Sequence, residues 1–158
     1  MENLANVKKV ILLAVENEER EEGADPEIVE LLLGRNGDPE IVDCDGKSAL
    51  HRALQHEKPN EQIIKMLLDH GCDPNLPDKY YQMTPFHSAC MNENRNILFL
   101  NHLILFAENL RTVPESVFKM LVAKGANPKL KDSKGMDGME LATDMENKTA
   151  LKFLKGHK

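Results

Sequence analysis

The sequence predicts an all-α solenoid of about four stacked helix–turn–helix units with projecting loops, and three observations predict it. First, one block recurs: the stretch from Ile63 to Pro74 matches Val117 to Pro128, and Ile28 to Pro39 matches both with a one-residue shift. Second, each copy is a short amphipathic run that stops at a glycine, with a proline two or three residues on. That reads as helix, stop, loop, because glycine takes the left-handed conformation cheaply and proline forces the residue before it to be extended. Third, Ser48-Ala49-Leu50-His51-Arg52-Ala53 matches Thr84-Pro85-Phe86-His87-Ser88-Ala89 and, more loosely, Gly138-Met139-Glu140-Leu141-Ala142. Ser48 and Thr84 are N-cap residues, and Pro85 sits where its missing N–H costs nothing.

The elements follow in order. A first unit covers about 3–38, with a helix from Leu4 to Asn17, an acidic turn, and a helix from Pro26 capped by Asp25. A second covers 39–71 and a third 72–125. The third is long: His51 to His87 is 36 residues, whereas Gly71 to Gly125 is 54, so about 20 are inserted, at 95–113. Ten of the fourteen residues from Ile97 to Leu110 are apolar, too many for one stripe, so a helix there must be covered on several sides and would disturb the stacking of units three and four. Leu100, Leu103 and Ile104 would pack on the second helix of unit two. Phe99, His102 and Phe106 then need a local lid, another copy of the chain in a homodimer, or a partner. The fourth unit, 126–158, has a weak Gly-Met-Glu-Leu start and a lysine-rich last helix, Lys148 to Lys155, which suits a solubilising cap.

The stretch Asp45-Gly46-Lys47-Ser48-Ala49-Leu50-His51, then Gly71-Cys72-Asp73-Pro74-Asn75, then Met83-Thr84-Pro85-Phe86-His87, in units of about 33 residues, resembles the ankyrin repeat over nearly the whole chain. The resemblance implies a cupped hand that binds a protein partner. Its fingers are Asp43 to Lys47, Pro77 to Met83 and Lys131 to Asp137, and first helices form a palm that exposes Gln55, His56, Met91 and Asn92. The implied contacts are Asp43, Asp45, Lys47, Gln55, His56, Tyr80, Tyr81, Gln82, Met83, Met91, Asn92, Lys131 and Lys134. The middle finger stands out, because tyrosine supplies large contact area at low entropy cost and most fingers are polar; one of its two tyrosines is expected to pack on the adjacent loop. The resemblance also gives His51 and His87 the structural duty of hydrogen-bonding neighbouring loops. Asn75 is similar to the asparagine hydroxylated in some ankyrin proteins, though Pro74 departs from the usual aliphatic residue, and a plain turn asparagine is the other reading.

Composition narrows the function. The 158 residues are 41% apolar and 29% charged with net charge −6, a balance that suits a soluble, ordered chain. Residues 1–46 carry −9, 47–118 carry −1 and 119–158 carry +4, which makes an elongated molecule dipolar. No basic patch is interleaved with stacking aromatics, so nucleic acid is not the expected partner. The longest apolar run, Val10 to Val15, is far too short to span a membrane. Three cysteines without a CxxC pair suit a reducing compartment, so a cytoplasmic or nuclear location is expected.

Chemical motifs are weak. Gly46-Lys47-Ser48 lacks the upstream glycine of a phosphate-binding loop, since Ile41 stands there. An EF-hand counted from Asp43 meets Leu54 where glutamate is needed. Only His70 and Cys72 approach metal-ligand spacing, so no metal, cofactor or catalytic residue is assigned. Asn147-Lys148-Thr149 fits a glycosylation sequon that a cytosolic chain would never use. The expectation is a non-enzymatic interaction module that acts as adaptor or inhibitor. By resemblance, inhibitors of NF-κB type and of cyclin-dependent kinases are the groups of comparable size; an enzyme, or a section of a longer array, are the rival readings.

Overall fold

The computed structural model describes residues 10–15, 24–35, 37–56, 59–91 and 113–156. Among the described residues, 10–15 are helical, and seven further helices follow: α1 (Pro26–Gly34), α2 (Ala49–Gln55), α3 (Glu61–Asp69), α4 (Pro85–Met91), α5 (Glu115–Ala123), α6 (Gly138–Asp144) and α7 (Lys148–Gly156). They stack in two rows: α2, α4 and α6 pack in succession, and α1, α3, α5 and α7 do the same alongside. Among the described residues the extended backbone amounts to one isolated bridge, Val42 to Ser48, so the all-α solenoid expected from the repeats is the observed fold.

The starts of the helices are set by local chemistry. Asp25 Oδ1 accepts the Glu27 N–H at 2.9 Å, and Asn60 Oδ1 accepts those of Gln62 and Ile63. Asp137 accepts the N–H groups of Met139 and Glu140, and Glu140 Oε2 accepts the Asp137 N–H in return, a closed capping box.

The helix ends repeat one device. The N–H groups of Gly37, Cys72, Ala126 and Asn147 reach back to Leu32, Leu67, Leu121 and Ala142 at 2.8–3.1 Å, the long bond of a Schellman stop. Just before three of these donors stands a residue with positive φ: Gly71 (93°), Gly125 (92°) and Glu146 (53°). These bonds correct the expected one-residue shift of the first copy. It is in register with the others, Gly34 is the last helical residue, and the position of Gly71 is held by Asn36, outside the described residues. Gly37 is needed for another reason: a Cβ there would lie 2.6 Å from Leu32 O and run into Ile11.

The core lies between the rows. Phe86 on α4, Phe118 on α5 and Phe153 on α7 form a chain of rings, edge-to-face at 5.6 Å and then stacked at 5.7 Å. The helices on either side of the expected insertion at 95–113 therefore stack continuously. Of that stretch only the buried Val113 is described; Phe99, Leu100, His102, Leu103, Ile104 and Phe106 lie outside the described residues.

Candidate interaction surface

Three loops project from one edge of the stack, and each is built around an aspartate. Asp43 Oδ1 accepts the N–H groups of Asp45 (2.8 Å) and Lys47 (2.9 Å). Asp78 Oδ1 accepts those of Tyr81 (2.8 Å) and Met83 (3.4 Å), and Asp132 Oδ1 those of Lys134 (2.8 Å) and Met136 (2.9 Å). Each tip turns through positive φ, at Gly46 (75°), Gln82 (52°) and Gly135 (77°). From aspartate to the closing residue is four positions in the outer loops but five in the middle one, so the middle loop has one extra residue at its tip.

The loops are tied to each other and to the helices. Lys79 N–H donates to Asp45 O at 2.9 Å and Ser133 N–H to Tyr81 O at 2.7 Å, a ladder along the row. His51 accepts the Ser48 N–H on Nδ1 (3.1 Å) and uses Nε2 to reach Met83 O (3.0 Å); His87 does the same with Thr84 (3.2 Å) and Met136 O (3.2 Å). The accepting Nδ1 puts the proton on Nε2, so each imidazole is a neutral strut between a helix and the next loop. Burial lowers the His51 pKa, which keeps that strut neutral. Both histidines thus have the loop-bridging duty expected of them.

These ties give several residues of the expected contact set a second, structural partner. Met83 is only 8% exposed, because its backbone closes the middle loop and its side chain joins the core. Asp43 is half-buried and paired with the Arg52 guanidinium. Burial alone would raise its carboxyl, but the Lys47 N–H and Arg52 outweigh that and hold it below the usual 3.8. Gln55 bridges Lys47 Nζ (3.2 Å) and Ser88 Oγ (3.1 Å), so it joins α2 to α4. Lys131 pairs with Glu140 (2.6 Å) and Asp137 (3.6 Å), which raises its pKa and compensates its charge locally. His56 and Met91 are half-buried, and Asn92 lies outside the described residues.

What remains open is concentrated at the middle tip. Tyr80 is 60% exposed and Tyr81 56%, so neither packs away on an adjacent loop as one of them was expected to. The Lys79 ammonium sits 5.3 Å over the Tyr80 ring. Gln82 is exposed with its amide donating to Asp78 O at 3.0 Å, Lys134 is exposed on the third tip, and Asp45 is half-buried on the first beside Arg52. Sequence reasoning missed Lys79 and Arg52; the signal for Lys79 was its place beside the tyrosine pair.

Asn75 joins two units: its Nδ2 donates to Gly125 O and its Oδ1 accepts the Asn127 N–H, both at 2.8 Å. Asn147 is fully buried, its Nδ2 on Cys90 O at 2.9 Å and its Oδ1 accepting the Ala150 N–H at 2.8 Å, so the sequon is closed by packing as well. Cys72 and Cys90 are buried and their thiols pushed up, Cys72 to about 12, first by burial and then by nearby carboxylates; neither can serve as a nucleophile at neutral pH. Among the described residues no group of three His, Cys, Asp or Glu could hold a metal, and no helix is long and apolar enough to cross a membrane.

A family model for ankyrin repeats (3 copies) matches residues 11–108, and α5, α6 and α7 lie beyond that match. The chain is 36% identical over 70 residues to the transient receptor potential channel pyrexia of Drosophila melanogaster, which covers 44% of this chain and 7% of the channel. It is 32% identical over 78 residues to the putative ankyrin repeat protein FPV022 of fowlpox virus, covering 49% and 13%. It is 33% identical over 64 residues to the Inhibitor of Apoptosis OPG037 of variola virus, covering 40% and 14%. The chain thus spans a small part of the length of each.

Proposed function

We propose a specific job for a chain that belongs to the ankyrin-repeat family, whose repeats are protein–protein interaction modules: it is a regulator that acts by occupying a partner's surface with the tip of its middle loop. The observation that carries this reading is the extra residue in that loop, which displays Tyr80 and Tyr81 together beside Lys79. Two amphipathic rings on a hydrogen-bonded stem lose little entropy on binding, and such residues dominate interface energetics. Asp45 with Arg52, Gln82 and Lys134 supply the polar rim around them; His56 and Met91 on the helix row extend the surface.

Inhibition is the finer reading, with adaptor as the alternative. The variola virus relative named an inhibitor of apoptosis supports it, as does a mode of action that needs only surface occupancy. The NF-κB-inhibitor and kinase-inhibitor types remain the two forms it would take. The test is a capture of partners from a native lysate with the parent and with the double variant Tyr80→Ala/Tyr81→Ala, followed by titration of the captured partner. Affinity should fall by about 2–4 kcal/mol while the helical circular dichroism and melting are unchanged. Unchanged affinity would show that the tip is not the contact.

A further inference from the structure

The outer row of helices has one repeating register, fixed by its N-caps Asp25, Asn60, Pro114 and Asn147. Three residues after each cap stand Ile28, Ile63, Val117 and Ala150. The last three are at most 1% exposed, but Ile28 is 41% exposed. Six residues after the cap, Leu31 is 54% exposed, Met66 and Met120 are half-buried, and Phe153 is buried. These positions face the preceding unit. They are open in α1 because no described unit covers them.

The other side of the row shows the converse. Four residues after the cap, Val29, Ile64 and Phe118 are fully buried, whereas Leu151 on α7 is half-buried. Seven after it, Leu67 and Leu121 are fully buried, and Leu32 and Leu154 are half-buried. Eight after it, Leu33 and Leu68 are buried and Val122 is half-buried, whereas α7 has the exposed Lys155. The two ends of the stack are therefore the two halves of one seam.

Charge matches as well. Between neighbours in the row, a residue two or five after one cap reaches the residue just after the preceding cap. Ser116 bonds Glu61 at 2.7 Å and Lys152 approaches Glu115 at 3.6 Å. At the open ends, those positions are the exposed Glu27 and Glu30 on α1 and the exposed Lys148 on α7. Opposite charges meet where the seam would close.

We propose that a second copy of the chain docks head-to-tail, its α1 edge (Ile28, Leu31, Glu27, Glu30) on the α7 edge (Leu151, Leu154, Lys148, Lys155), continuing the solenoid. Such a contact is heterologous, so it does not close at a dimer. Sedimentation velocity over about a hundredfold concentration range tests it with the parent chain, with Leu31→Glu, and with the double variant Lys148→Glu/Lys155→Glu. The parent should grow with concentration past the dimer. Each variant alone should be a folded monomer by circular dichroism, and an equimolar mixture of the two should give a 1:1 dimer, because each retains one intact edge. Should Leu31→Glu fail to fold, Leu31→Gln takes its place. A parent that stays monomeric overturns the proposal, as does a closed dimer that survives Lys148→Glu/Lys155→Glu, or association that neither variant weakens by about tenfold or more.

Discussion

Among the described residues, Glu146 is, with Gln82 at a loop tip, one of two with a Cβ that hold positive φ. It holds φ at 53° where the equivalent positions in the two preceding stops are Gly71 and Gly125. The left-handed conformation costs a residue with a Cβ about 1–2 kcal/mol, and Glu146 is exposed, with nothing buried to lose. Glu146→Gly should therefore stabilise the chain by about 1 kcal/mol, read as a rise in the urea midpoint. One residue on, Asn147 is the reverse case. Its amide satisfies the carbonyl of Cys90 across 57 residues and caps α7. Asn147→Ala removes a cap and the side-chain hydrogen bond to a buried residue's carbonyl, so a loss of about 2–4 kcal/mol is expected in the same unfolding experiment.

At the scale of elements, what joins a helix to the next loop is an imidazole. His51 is fully buried and its pKa lies below the ordinary 6.5, because burial disfavours the cation. The unfolded chain takes up this proton first as pH falls, so stability is full above about 6.5 and declines below it toward the folded pKa. Urea unfolding between about pH 7.5 and 5 should show this slope, and His51→Gln should flatten it. A slope of equal size in His51→Gln would assign the effect to other groups. Histidine struts tie the loops to the stack: the loop carbonyls of Met83 and Met136 are each held by a ring that itself bonds Ser48 or Thr84.

Among the described residues the helices pack in succession along each row, so stability is expected to be a sum of units and the seams between them. Phe118 lies in the middle of one seam, between Phe86 and Phe153. Phe118→Ala should cost about 3–5 kcal/mol, and the loss should be uneven. Hydrogen exchange should quicken in α5, α6 and α7, while α2 and α3 keep their protection. Uniform loss along the chain would mean that the stack melts as one unit.

The sequence by itself determined the architecture, because capping and stopping a helix are local events. Asp25, Pro85, Gly71 and Gly125 act within a turn of where they stand, and a repeat read once can be read again. It also determined that His51 and His87 would reach neighbouring loops, since a repeated motif implies a repeated neighbour. Only the tertiary structure decided which finger residues are exposed. Met83 and Tyr81 are two positions apart in one loop, yet Met83 belongs to the core and Tyr81 is open. The difference comes from His51, which lies 32 residues away and holds the Met83 carbonyl. Asn147 reads as a surface sequon until the turn of α6 brings it to Cys90. Exposure is set by contacts between units far apart in the chain, and no local rule of spacing or propensity contains that information.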